Sequence, residues 1–225
     1  MLKKLLHKIR WFLYLPLSRK QQYLTHNYLK VKGIVVYRLL FKKFGQGAIL
    51  KQALFVSYES IEVGQNVLIF DHARIEAIDC YSEHGIQPLI IIGDGVVIQQ
   101  RCHITAASTL SIGKNSLISF DVMIQDTDHQ YENLEVPVGS QPLTVTKTTI
   151  GENCFIGSGA KINAGTTLGK HCIVGANSVV RGNFPDYSVI VGIPAKIIKR
   201  YNPETLCWER TTSTGDFIQN LGSKK

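Results

Sequence analysis

From residue 150 onward an aliphatic side chain returns every six positions, at Ile150, Ile156, Ile162, Leu168, Val174 and Val180. Glycine follows four of them (Gly151, Gly157, Gly169, Gly175), and a small residue stands four places after most of them (Cys154, Ala160, Thr166, Cys172, Ser178). The fifth position of one hexad and the first of the next are two residues apart, so they share one face of a short strand. The glycine-containing positions between strands supply tight corners. Three such units close a triangular coil. Stacked coils bury the aliphatic column and pair each strand with those above and below it.

The same phase runs earlier through Val63, Ile69 and Ile75, through Ile92, Ile98 and Ile104, and, after two extra residues, through Ile112, Ile118 and Ile124. The expected fold is an all-β repeat, a parallel β-helix of about five coils over residues 59–200. Two stretches interrupt it, 79–91 and 130–149. A 20-residue insertion (130–149) between regular coils is expected to form an extended loop that carries function.

DTDHQY at 126–131, the run at 150–180 and VGIPAKIIKRY at 191–201 resemble the hexapeptide-repeat acyltransferases, which are left-handed β-helix enzymes. The resemblance covers about residues 60–200. It is nearest to the branch that O-acetylates sugars and bacterial surface glycans, the galactoside and maltose acetyltransferases. The left hand rests on the resemblance alone, since the general rule for crossovers favours the opposite hand. The resemblance further implies acetyl-CoA as acyl donor, a sugar or glycan-precursor acceptor, and a homotrimer with active sites between neighbouring coils. Transfer to an amine (a nucleotide-linked amino sugar or serine) is a rival reading. A non-catalytic β-helix scaffold is another, and His129 with its loop argues against it.

His129 closes the hexad that begins at Ile124, where the chain turns out into the insertion. Acyl transfer from a thioester to a hydroxyl needs a base working near neutral pH, and imidazole suits that task. In the resembling enzymes a histidine at this point deprotonates the acceptor. Taken by itself, His129 also fits a polar loop residue bonded to backbone. Asp126 and Asp128 flank it, and either carboxylate can orient an imidazole or simply form a turn. Strand parity makes Asp126 the more natural catalytic partner and leaves Asp128 for the acceptor.

By the same resemblance, Ser158 and Ala176 line the pantetheine arm of coenzyme A, and a backbone amide there stabilises the oxyanion. Arg181 matches a cation at the nucleotide phosphates, while Lys196 and Lys199 match cations near the adenine end. The galactoside enzymes carry an Asn-rich stretch upstream of the base. Gln99, Gln100 and Arg101 stand there instead, so acceptor recognition is expected to differ, with Arg101 as a candidate contact.

No metal is expected. The γ-class carbonic anhydrases of this fold use His-x4-His, whereas the nearest histidines here, His72 and His84, lie 12 apart. Cys102, Cys154 and Cys172 fall on inward small positions and read as core fillers. Cys80 and Cys207 bring the count to five, an odd number without a CxxC pair or a secretory cleavage pattern. A reducing, cytoplasmic setting follows.

The net charge of +8 is unevenly placed. Residues 1–58 hold 12 Lys+Arg and no acid, and the remaining 167 residues balance at 13 − 17 = −4. Nucleic acid is therefore not an expected partner. Leu2, Leu5, Leu6, Ile9, Phe12 and Leu13 share a helical stripe among lysines, and Pro16 ends or bends it. The basic segment 1–58 is expected to be helical, as a cap over the open end of the coils or as a peripheral contact of residues 1–20 with the inner face of the cell membrane. Residues 201–225 are expected to form a short C-terminal helix over 202–210 and a mobile tail.

Overall fold

The computed structural model describes residues 7, 10–79 and 87–218. Three short strands recur in each coil, and equivalent strands of successive coils pair in parallel. Along the first face the register runs Val63 to Ile92, Ile92 to Ile112 and Ile112 to Ile150. The result is three sheets of seven, nine and six strands around one core, with a separate two-stranded ribbon. The aliphatic first positions all point inward. In one coil Ile112, Ile118 and Ile124 are 1%, 0% and 0% exposed. Each such burial stabilises the stack by about 1.5–3 kcal/mol.

Glycines after the first-face aliphatics stack directly over one another. A Cβ on Gly93 would lie 2.7 Å from the backbone nitrogen of Lys114 in the next coil. The corner stays at the spacing of paired strands only because that side chain is missing.

Six coils are complete and a seventh begins, one more than the spacing from Val63 indicates. The first coil comprises Lys43–Phe44, Ile49–Leu50 and Phe55–Val56, so the repeat starts inside the stretch expected to precede it. Phe44, Leu50 and Val56 keep the six-residue phase. An aromatic at the first position and lysines around it hide the signal. The seventh coil stops after Asn183–Phe184 and Ser188–Gly192.

The expected C-terminal helix is absent. Ala195–Asn202 folds back antiparallel on Ser188–Gly192, and Cys207–Arg210 pairs antiparallel with it in turn. Alternation decides this: Ala195 and Ile197 are buried while Lys196 and Ile198 are exposed. The tail is also ordered as far as it is described. Thr211 bridges Phe217, and Arg200 Nη1 donates to the Gly215 carbonyl at 3.0 Å. Residues 219–225 lie outside the described residues.

At the other end, helix Leu17–Lys32 runs into a π-helical turn, Gly33–Tyr37, and a short helix, Arg38–Leu40. Lys30 and Lys32 in the last turn of the long helix suit its carbonyl end. Tyr37, Phe41, Phe44 and Tyr58 close the first coil, with Phe41 4.9 Å from both Phe44 and Tyr58 between ring centroids. The cap is therefore built by residues 33–44 and Tyr58. Leu2, Leu5, Leu6 and Ile9 of the N-terminal stripe, and most of the first interruption (80–86), lie outside the described residues. Among the described residues no helix is long and apolar enough to cross a membrane.

Candidate active site

The chain leaves the third face at Gln125 and rejoins the first face at Thr149. Between them Thr127–His129 pairs antiparallel with Leu143–Val145, placing Asp128 opposite Thr144 and His129 opposite Leu143. The insertion is thus an arm, and Ile112 still pairs with Ile150 across its root. Thr146 N donates to the Asp126 carbonyl at 2.8 Å, and Thr148 Oγ1 to the Gln125 carbonyl at 2.9 Å, closing that root. Beyond the ribbon, buried Gln141 ties the loop together: its Nε2 donates to the carbonyls of Asn133 (2.9 Å) and Val136 (2.8 Å). Along the first ribbon strand Thr127 is buried, Asp128 half-buried and His129 exposed.

Both neighbouring carboxylates are engaged away from the imidazole. Asp126 is fully buried, and its carboxylate accepts from Ala107 N (2.8 Å), Ser108 N (2.9 Å) and Ser108 Oγ (2.7 Å), the preceding corner of the same edge. Where the sequence suggested an orienting partner for His129, these bonds make Asp126 an anchor for the arm. Asp128 accepts from Arg181 Nη2 at 2.8 Å on each oxygen. Arg181, expected at nucleotide phosphates, here joins the arm to the sixth coil. The pair is 53 residues apart in sequence, so no local motif announces it.

Ser158 and Ala176 lie on the other edge of the third face. Gly159 N donates to the Phe120 carbonyl (3.0 Å) and Asn177 N to the Ser158 carbonyl (2.9 Å), stacking Phe120, Ser158 and Ala176 in one column. Gly192 N donates to Ser178 Oγ at 3.1 Å, which brings the Ile193–Pro194 turn, and Lys196 after it, to this edge. Lys199 sits further back along its strand, opposite Val189 and Arg210.

Arg101 is on the same edge two coils earlier. Its Nε and Nη2 bind the two Asp121 oxygens at 2.7 Å each. This fork holds the Asp121 carboxyl below the usual carboxylate range and the guanidinium above its own. The structure therefore gathers Asp126, Asp128, His129 and Arg181 at one edge and Ser158, Ala176 and Lys196 at the other. Arg101 does not join His129.

Cys102, Cys154 and Cys172 are buried, and burial pushes the Cys102 thiol up to about 11, so it stays protonated at neutral pH. Among the described residues no three His, Cys, Asp or Glu side chains come together to hold a metal ion.

A parallel β-helix built of six-residue units with one inserted arm is the architecture of hexapeptide-repeat proteins. Residues 147–182 match the family model "Bacterial transferase hexapeptide (six repeats)". An Escherichia coli K12 protein named as a lipopolysaccharide biosynthesis O-acetyl transferase, WbbJ, is 33% identical over 158 residues, covering 67% of this chain and 77% of that one. A Mycobacterium tuberculosis protein named as an acetyltransferase is 34% identical over 68% of this chain, which spans 47% of its length.

Among solved structures, the N-acyltransferase AntD of Bacillus cereus, in complex with dTDP and 3-hydroxybutyryl-CoA, superposes with a TM-score of 0.62. That match has 18% identity and covers 75% of this chain and 87% of AntD. A maltose O-acetyltransferase from Clostridium difficile gives a TM-score of 0.52 at 24% identity, over 73% of this chain and 72% of its own. The chain belongs to the hexapeptide-repeat family and is an acyltransferase of left-handed β-helix fold.

Proposed function

We propose that the protein is an acetyl-CoA-dependent O-acetyltransferase acting on a sugar or bacterial surface-glycan precursor. The observation that carries this reading is His129, exposed on an arm whose root is fixed to the coils on both sides. The named activity of the E. coli relative supports the O-acetyl and glycan parts. Acetyl-CoA supplies a thioester carbonyl as the electrophile. His129 takes the proton from the acceptor hydroxyl as its oxygen attacks, then returns it to the leaving thiolate. Asp126 and the Asp128–Arg181 pair hold the arm that presents the imidazole.

The opposite edge fits the donor. Half-exposed Ser158 and exposed Ala176 carry small side chains next to exposed Phe120, with exposed Lys196 further along this edge and Lys199 beyond. A corner amide at this edge is the oxyanion donor in this reading. A phosphate role for Arg181 requires exchange of its Asp128 contact.

The two edges lie apart within one copy, so a homotrimer joins His129 of one copy to the Ser158 edge of the next. A molar mass of three chains in solution is the expected result. AntD, named an N-acyltransferase, is the observation that favours an amine acceptor as second reading. Thiol release from acetyl-CoA across a panel of sugars, glycan precursors and amino sugars separates the two. Release that no sugar or glycan precursor stimulates would overturn the O-acetyl reading.

Arg181→Ala tests the arm. The Asp128–Arg181 pair is substantially exposed, so its loss is expected to cost the fold about 1 kcal/mol or less. A fall of about fivefold in kcat/KM is nonetheless expected, because the imidazole loses its fixed position. Arg181→Lys is expected to recover part of it, since a single ammonium can meet both Asp128 oxygens as Nη2 does, but from a more flexible stem. Unchanged kinetics in Arg181→Ala would show that the contact does not position the arm.

A further inference from the structure

We propose that the N-terminal helix docks the protein on an anionic lipid surface. The side of Leu17–Lys32 nearest the coils carries Gln22, Thr25, His26 and Leu29, which line a groove against Ile49 and Leu68 of the first two coils. A different side carries Leu17, Leu24, Tyr28 and Val31, and the stripe continues through Val35 and Leu39 beyond the helix. Those six residues are between 58% and 85% exposed. Their spacing places them in one line along the helix. Trp11 and Phe12 do not cover this line, because they pack on Tyr23, 5.6 Å away in each case.

An apolar stripe left open to water, here interrupted by Gln21 between Leu17 and Leu24, marks an interaction surface. Charge decides its occupant. Lys20 and Arg38 border the stripe on one side, Lys32 on the other is turned over the Tyr37 ring at 4.9 Å, and the first 58 residues contain 12 basic and no acidic side chains. A second copy laid on the same stripe brings cation against cation with no carboxylate to offset them. A bilayer with anionic headgroups offers the complement of both features, hydrocarbon for Leu24, Val31 and Val35 and negative charge for Lys20 and Arg38. Tyr28 suits the boundary between the two. The helix lies on such a surface without crossing it, in accord with the absence of a spanning helix among the described residues. The contact thus falls on residues 17–39, further along the chain than the segment 1–20 to which the sequence pattern points.

The full chain is tested by flotation with vesicles of phosphatidylcholine alone and with about one third phosphatidylglycerol. The expected result is flotation with the anionic vesicles only, weakened at high salt. Leu24→Ser combined with Val31→Ser is expected to lower the bound fraction about tenfold, and Lys20→Glu with Arg38→Glu to do the same. Each variant is checked for an unchanged melting transition and unchanged thiol release, which shows that the coils are intact. Absence of flotation, equal flotation with neutral vesicles, or full binding by the folded variants overturns the proposal. A wild-type molar mass that falls to that of a smaller oligomer in Leu24→Ser/Val31→Ser also overturns it, because the stripe is then covered by another copy of the chain.

Discussion

His129→Ala is expected to lower kcat for acetyl transfer by about 10²–10⁴-fold, the usual contribution of a positioned general base. The geometry makes this substitution clean. His129 is exposed at the end of a ribbon strand, and the ribbon is held by its pairing with Leu143–Val145 and by Asp126 and Asp128. Loss of the imidazole therefore leaves the arm in place, and the melting transition is expected to stay where it is. The KM for acetyl-CoA is also expected to change little, because a base acts on the acceptor hydroxyl and makes no contact that binds the coenzyme. The loss thus falls on the chemical step. Steady-state kinetics with a saturating acceptor reads it directly. A fall of less than about tenfold would sink the assignment of His129 as base.

The six-residue phase made the coils legible because each first position has one fate. Ile112, Ile118 and Ile124 must be buried, and only a three-sided coil buries them all. The first coil was harder to read, since Phe44 replaces the aliphatic and takes part in an aromatic cap that no period announces. Residues 202–210 read as helix in the sequence because nine residues offer too short a pattern to separate alternation from helical spacing. The arm after His129 followed from where the phase breaks, whereas the choice of His129 as candidate base came from the DTDHQY resemblance. The partners of its neighbours followed from neither. Ser108 lies 18 residues before Asp126, and Arg181 lies 53 after Asp128. They meet only because the stacked coils put all four at one edge.

Asp126→Asn separates an anchoring carboxylate from an orienting one. In the native chain three donors converge on Asp126: the amides of Ala107 and Ser108 and the Ser108 hydroxyl. A carboxylate accepts all three, whereas a carbamoyl group accepts on one side only and presents its own N–H groups on the other. The Ser108 hydroxyl can rotate to accept, but a backbone amide cannot, so one buried N–H is left facing a donor. The expected cost is about 2 kcal/mol. For a chain of this size that lowers the melting temperature by about 4–8 °C. Activity below the transition is expected to fall about tenfold, because the root of the arm shifts while the imidazole remains. The shape of the pH–rate profile should be that of the native enzyme. Ser108→Ala removes one acceptable bond without creating a clash of donors, and its cost is expected to be smaller, about 1 kcal/mol. If Asp126 instead acts on the imidazole directly, Asp126→Asn keeps its melting temperature, loses as much activity as His129→Ala and displaces the pH profile. Calorimetry on the two variants, set beside their kinetics, therefore decides whether the buried carboxylate serves the arm or the proton.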